Sequence, residues 1–352
     1  MDKIKTAATS DAMARPTTKD LARVAGVSRA TVDRVLNGRD GVKKNTVDKV
    51  NAAIRQLGFE RNLSAANLAK GRTYRFVFVL PESGDQFLEE ILRHIREAGN
   101  VFAAEMVWAS VQHVDGNDPH AISTFLSSLS RQDTDGVAIM APESPQVRDA
   151  IARLQDRGLR ALPFISNQAL SENHCVGIDN RSAGRTAATL MGRFIRAQKG
   201  QILVIAESMR SRDSIERRYG FDEVINARFP HLTPLPSLET YGSAERTRQV
   251  LQAAVARNPD VVGAYILSSE ARIPLDVLED MTFSERLVSV AHERTPCTEA
   301  SLLSGRLDAV ITQDPGHLVR SAIRRLRALC DNRNTLNSQE KIRVEILLPT
   351  NL

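Results

Sequence analysis

The chain has 352 residues, 42% of them hydrophobic, 25% charged and 5% aromatic, a composition suited to a globular protein of two or three domains. No run approaches the roughly 18–20 apolar residues of a membrane span. The opening residues MDKIKTAATSDAMARP carry Lys3 and Lys5 with no apolar stretch behind them, so neither a membrane segment nor a secretion signal is expected. Cys175, Cys297 and Cys330 are far apart and odd in number, which argues against a disulfide framework or a zinc site and for reduced thiols in a cytoplasm.

The formal charge of +5 is unevenly placed. From Arg15 to Arg72, thirteen Lys and Arg face five Asp and Glu, a net of +8; residues 1–14 sum to zero, so residues 73–352 carry −3. A short basic segment on a mildly acidic body implies that one small module meets a polyanion.

In chain order, residues 1–14 read as a disordered tail. Leu21, Val24 and Ala25 then fall at helical spacing, and Gly26-Val27 breaks the run. Ser28 offers an N-cap oxygen to a second helix, with Val27 and Val32 at the positions of a hydrophobic staple. Val35 and Leu36 continue its inner face, and Asn37-Gly38 ends it. Val47, Val50, Ile54 and Leu57 form one stripe of a third helix that stops at Gly58. Two short helices joined by a tight turn and followed by a third make a helix-turn-helix unit. The outer face of the second helix carries Arg29, Ala30, Thr31, Asp33 and Arg34. A helix of this kind fits the DNA major groove, its first residues reaching base edges while flanking cations hold phosphates. Asp33 either pairs with Arg29 one turn earlier or accepts from a cytosine amino group.

The stretch Thr17 to Asn37, TTKDLARVAGVSRATVDRVLN, resembles the headpiece of the lac repressor/galactose repressor family of bacterial regulators. The shared elements are Asp20, Ala22, Ala25-Gly26-Val27-Ser28, Thr31-Val32, Arg34-Val35 and Asn37. Two positions depart from the pattern: Asp33 stands where Ser is common, and Lys43 where a Ser or Thr caps the third helix, an exchange costing about 1 kcal/mol of capping. The resemblance implies DNA contacts from Thr17, Ser28, Arg29, Ala30, Thr31, Asp33, Arg34 and Asn37. It also makes residues 62–72 a hinge, with Asn62, Ala65 and Leu68 at the family spacing. A helix so short is marginal alone in water; in this family it folds on DNA, where the residue matching Leu68 wedges into the minor groove. The expected organisation is a tail (1–14), a headpiece (15–61), a hinge (62–72) and a core (73–352).

From Tyr74 onward, strands at 75–80, 135–140, 161–165, 201–206, 261–267, 287–291 and 308–312 alternate with amphipathic stretches that include 86–98, 145–157, 182–196, 214–227 and 244–256. This alternation argues for open, mostly parallel α/β sheets. Some 280 residues are many for one such sheet, so two lobes are expected, with ligands beyond the carboxyl ends of the strands. The region resembles the sugar-binding periplasmic fold that forms the body of the same family. The expected fold class is thus an all-α helix-turn-helix headpiece plus a two-lobed α/β core of periplasmic-binding-protein type.

Carried over position by position, the resemblance assigns effector contacts to Phe87, Ser166, Asn167, Asp179, Arg217, Ser269, His292 or Glu293, and Gln313. Ser268-Ser269-Glu270 replaces an Asn that the family normally has after this strand. On the residues alone, Arg217 also reads as an exposed helix charge, His292 and Phe87 as core, and Trp108 as structural. HERTP at His292 lacks the second His of a zinc-protease motif, and no G-x-S-x-G, P-loop or G-x-G-x-x-G occurs, so catalysis, a cofactor and a metal are not expected. The expected partners are near-palindromic double-stranded operator DNA, a sugar or polyol effector and a second copy of the chain, with no membrane. The protein then reads as a sequence-specific DNA-binding transcription regulator, a repressor in the favoured reading, switched by its effector. The competing reading is a cytoplasmic carbohydrate receptor whose basic module docks to another protein.

Overall fold

The computed structural model describes residues 16–36, 41–57, 59, 72–82, 85–116, 118–166, 175–284, 286–335 and 337–352. By its internal contacts the chain divides into two compact units, residues 1–72 and 73–352.

The first unit holds α1 (Thr18–Ala25), α2 (Arg29–Leu36) and α3 (Lys44–Leu57). Thr17 caps α1 through a capping box: its side chain accepts from the Asp20 amide, while Asp20 accepts from the Thr17 amide at 2.9 Å. Gly26 ends α1 with φ 64°, a left-handed conformation open to glycine without a Cβ penalty. Ser28 caps α2 as expected, its Oγ accepting from the Thr31 amide at 3.1 Å. Lys43, with no side-chain acceptor to offer, meets the start of α3 through its carbonyl alone, which accepts from the Thr46 amide at 2.8 Å. Leu21, Ala25, Val32, Val50 and Ala53 form the buried centre, with Val27, Val35, Ile54 and Leu57 packed around them. Val24, expected on the inner stripe, is 36% exposed. In a helix of only two turns the Leu21–Ala25 pair, four residues apart, fills the inner face, and position i+3 falls at its edge.

The second unit contains two sheets. The first has the order β2-β1-β3-β4, built from β1 (Tyr74–Pro81), β2 (Val107–Val114), β3 (Gly136–Ile139) and β4 (Arg160–Pro163), with helices α4 (Gln86–Ala103), α5 (Pro119–Ser128) and α6 (Pro145–Asp156) between them. Every pairing in it is parallel. The second sheet takes α7 (Asn180–Phe194), β5 (Gly200–Ala206), α8 (Arg212–Arg228), β6 (Leu232–Pro234), β7 (Leu238–Glu239), α9 (Ala244–Arg257), β8 (Val261–Ile266), α10 (Arg272–Glu279), β9 (Val288–His292), α11 (Pro296–Leu303) and β10 (Ala309–Thr312). Then α12 (Pro315–Cys330) returns to pack on the first sheet, and after α13 (Asn337–Glu340) the strand β11 (Glu345–Leu347) joins β10 antiparallel. The main chain therefore crosses between the sheets three times: after β4, after β10 and before β11.

Strands β3, β8, β9 and β10 are buried at every residue. Helices cover both faces of a parallel sheet, so its central strands read as unbroken apolar runs. One apolar cluster runs from Phe76 and Phe78 of the first sheet through Ala183, Ala187 and Met191 of α7 to Ile202, Val204 and Tyr265 of the second. Each fully buried Phe or Leu in it contributes about 1.5–3 kcal/mol. The sequence reading assigns no element to β2, which is buried only at its two ends, Val107 and Val114, because it lies at a sheet edge. Trp108, on that strand, is 54% exposed and is not a core residue. Among the described residues no helix is long and apolar enough to cross a membrane.

Helices α7 and α8 approach until their main chains touch. A Cβ on Gly184 would lie 1.9 Å from the Arg217 carbonyl oxygen, and one on Gly220 would lie 2.1 Å from that of Arg181. Glycine at both positions permits this crossing and fixes the α8 backbone from which Arg217 projects.

Candidate functional site

In the first unit, Ser28, Arg29, Ala30, Asp33 and Arg34 are exposed on α2, and Thr31 is half-buried. The staple is in place, Val32 being fully buried, so the inner face of α2 is anchored and its outer face presents the two arginines. Thr17 is occupied in capping α1. Asn37, Asn62, Ala65 and Leu68 lie outside the described residues.

In the second unit, a cavity of about 540 Å³ opens where the strands end. Ile165 and Ser166 follow β4, Glu207 to Ser211 follow β5, Tyr241 follows β7, Leu267 to Ser269 follow β8, and Glu293 follows β9. Both sheets thus offer their carboxyl ends to one space, where a doubly wound fold leaves loop amides and side chains unused by the ladders. Three lining residues that are not glycine have positive φ: Ile165 at 62°, Tyr241 at 51° and Glu293 at 65°. Such conformations cost of order 1–3 kcal/mol and gather at ligand sites.

At the centre lies Arg217, 6% exposed. Its Nε donates to Asn180 Oδ1 at 2.7 Å, Nη1 to the Leu267 carbonyl at 2.8 Å and Nη2 to Glu293 Oε1 at 3.0 Å. Gln313 Nε2 donates to the same Glu293 oxygen at 3.1 Å. Burial pushes the Glu293 carboxyl above its usual range, while Arg217 and Gln313 pull it back and Asp85 adds to the rise. Beyond Asn180, Asp213 accepts from Asn180 Nδ2 and from Ser166 Oγ, both at 3.1 Å. Ser269 Oγ donates to Asp85 Oδ2 at 2.5 Å, which ties the second sheet's loop to the residue that caps α4.

The candidates therefore separate. Phe87, Ser166, Arg217, Ser269 and Glu293 line the cavity. Phe87 is also 1% exposed and belongs to the apolar core, so both of its readings hold. Of the pair His292/Glu293, Glu293 faces the space. His292, the last residue of β9, does not line it. It is fully buried, with Nε2 2.8 Å from the Tyr265 hydroxyl, and burial holds it well below the usual imidazole range, so it is neutral. Gln313 supports Glu293 from behind the cavity wall. Asp179 is not in the cavity: its carboxylate caps α7 by accepting from the Ser182 amide at 2.9 Å, and it lines a different depression beside Cys175. Asn167 lies outside the described residues. The sequence reading missed Asp85, Asn180, Glu207 and Asp213. Asn180 is one residue beyond Asp179, and Asp213 is one helical turn before Arg217, so both carried a local signal.

A three-helix unit with a capped, basic second helix, followed by two mostly parallel sheets sharing a polar cavity, defines a helix-turn-helix module joined to a body of periplasmic-binding-protein type. The chain belongs to the periplasmic binding protein domain family, whose model matches residues 76–334, and its residues 17–62 match the lacI family of bacterial regulatory proteins. The HTH-type transcriptional regulator RegA of Clostridium saccharobutylicum is 36% identical over 136 residues, 39% of each protein. Catabolite control protein A of Streptococcus mutans is 28% identical over 178 residues, 49% of this chain and 50% of that protein. The chain thus spans at most about half the length of these curated relatives. A glucose-galactose binding protein, GanP, of Geobacillus stearothermophilus superposes with a TM-score of 0.69 at 15% identity, over 80% of this chain and 99% of that one. A LacI transcriptional regulator described from Bacteroides fragilis gives 0.67 at 17% identity, over 80% and 98%. Likeness at these identities establishes the fold.

Proposed function

We propose that the protein is a sequence-specific DNA-binding transcription regulator, a repressor, whose operator affinity is set by a small polar effector held in the cavity. One observation carries the effector half of this reading: a buried arginine, held by Asn180, Leu267 and Glu293, faces a polar space at the strand ends. The exposed Arg29 and Arg34 on an anchored α2 support the DNA half. In this reading the chain acts as a homodimer, each headpiece taking half of a near-palindromic operator, since two-fold protein symmetry matches two-fold DNA symmetry. Leu68, by family resemblance, supplies the minor-groove wedge. Two proteins of similar fold are a glucose-galactose binding protein and a solute binding protein in complex with D-arabinose, which favours a carbohydrate or polyol.

Effector binding changes DNA affinity only if the two conformations bind effector differently, and a coupling of about 1–3 kcal/mol is typical. The test is operator binding by the purified protein against random duplex at moderate ionic strength, with and without candidate metabolites. A preferred two-fold duplex and a metabolite-dependent shift are expected. Sequence-blind, salt-insensitive binding would instead leave the cytoplasmic receptor reading.

A further inference from the structure

The charges around the cavity narrow the chemistry of its guest, an inference that rests on the effector reading above. Among the described residues, Glu143, Glu207, Asp213 and Glu293 line the space against two guanidiniums, Arg210 and Arg217. Arg217 is already engaged by Glu293 at 3.0 Å. Glu143 is met by Arg148 and Arg212, at 3.0 and 3.2 Å. Glu207 sits in a different field. It is exposed at the rim, yet confinement by the surrounding atoms and the charges of Asp85 and Glu270 all push its carboxyl above the usual range. Asp85 acts in the same direction on Glu293. The carboxylate at the start of α4 therefore repels two carboxylates that line the cavity, one from the β5 loop and one from the β9 loop.

A second, independent observation concerns hydrogen bonding. Glu293 is 1% exposed, and its Oε2 has no hydrogen-bond partner among the described residues. Gln313 Oε1, equally buried behind it, is in the same condition. Of the two, only Glu293 lines the cavity, and its free oxygen is an acceptor, so the cavity calls for a donor there. A neutral hydroxyl donates but leaves the excess negative charge in place; an ammonium donates and offsets it.

We infer that the effector carries a protonated amine beside its hydroxyls, as an amino sugar or amino polyol does, with the ammonium seated between Glu207 and Glu293, in the field of Asp85. The hydroxyls then face Ser166, Asp213 and Arg217.

The test is calorimetric titration of the full chain with matched pairs: D-galactose against D-galactosamine, and D-glucitol against 1-amino-1-deoxy-D-glucitol, with N-acetyl-D-galactosamine as the uncharged control. The amine of at least one pair should bind at least about tenfold more tightly than its neutral partner, and N-acetylation should abolish that gain. Glu207→Gln, at an exposed position, should cut the preference to about twofold in a protein whose melting temperature is unchanged; Glu293→Gln should do the same if it folds. Equal or tighter binding of the neutral members overturns the amine assignment and leaves the effector site standing. Absence of binding by every compound overturns the amine assignment too. An amine that binds with the expected preference but does not move operator affinity supports the assignment and overturns the regulatory reading instead.

Discussion

Arg217 Nη2 and Glu293 Oε1 lie 3.0 Å apart with both side chains under a tenth exposed, so the central contact of the cavity is a buried ion pair. Breaking one side of such a pair strands a charge and costs about 3–5 kcal/mol, whereas replacing both partners costs far less. Arg217→Met should therefore destabilise the protein by that amount, and Arg217→Met with Glu293→Gln should recover most of it. Denaturant unfolding of the two variants checks this; a double variant no more stable than the single would show that the pair is not coupled.

The effector response gives a separate reading of the same arginine. With Arg217→Lys, which keeps the charge but loses the three-way donor geometry, the ratio of operator affinities with and without effector should fall to near one. Fluorescence anisotropy with a labelled operator measures that ratio, and a response equal to the parent protein's would remove Arg217 from the site.

His292 makes stability sensitive to acid. Its folded-state value lies well below 6.5, so the unfolded chain takes up a proton first as pH falls, and the stability present above about pH 6.5 is lost below it. Glu293 has the opposite sign: its folded-state value lies above 4.5, so its contribution is present below that pH and lost as pH rises through the folded value. Melting curves from pH 7.5 to 5 should fall for the parent protein and fall less for His292→Gln, which keeps a hydrogen-bonding partner for Tyr265. Parallel curves would show that His292 does not drive the acid loss.

Gly184→Ala places a methyl group 1.9 Å from the Arg217 carbonyl oxygen, and neither main chain can yield without moving α7 against α8. Overpacking of this kind costs about 1–3 kcal/mol or more. A lowered melting temperature together with weakened effector binding is the expected result, because the displaced backbone carries Arg217.

Arg29→Ala and Arg34→Ala should each weaken operator binding. Each should also reduce the slope of log affinity against log salt by about 0.9 if the side chain neutralises one phosphate. An unchanged slope with weaker binding would point to base contact instead.

Much of the body was legible because its central strands are buried on both faces: VVGAYI and AVIT can hardly be anything but interior strands. VWASVQHV was not legible, since an edge strand mixes exposed and buried positions and puts Trp108 in solvent. In α12, Leu318, Val319, Ala322, Ile323 and Leu326 are buried at helical spacing, but sequence order does not tell that the helix returns to the first sheet. For the site, Glu293 stood just beyond a strand, where the strand pattern expects ligand contacts, whereas Arg217 lies on α8 and was reached through the family resemblance. The Asp85–Ser269 contact joins residues 184 positions apart, and no local signal marks it. Asp179 drew attention that belonged to Asn180, because a carboxylate at a helix start serves equally as cap or ligand contact, and geometry alone decides.

The three main-chain crossings between the sheets have a mechanical consequence. A single tether would let the halves swivel freely, and two would still allow shear, but a triple-stranded spine leaves a bookbinding's one easy motion, opening and shutting about its own length. If the proposed effector binds there, the free energy it releases would be channelled into that single coordinate rather than dispersed over many.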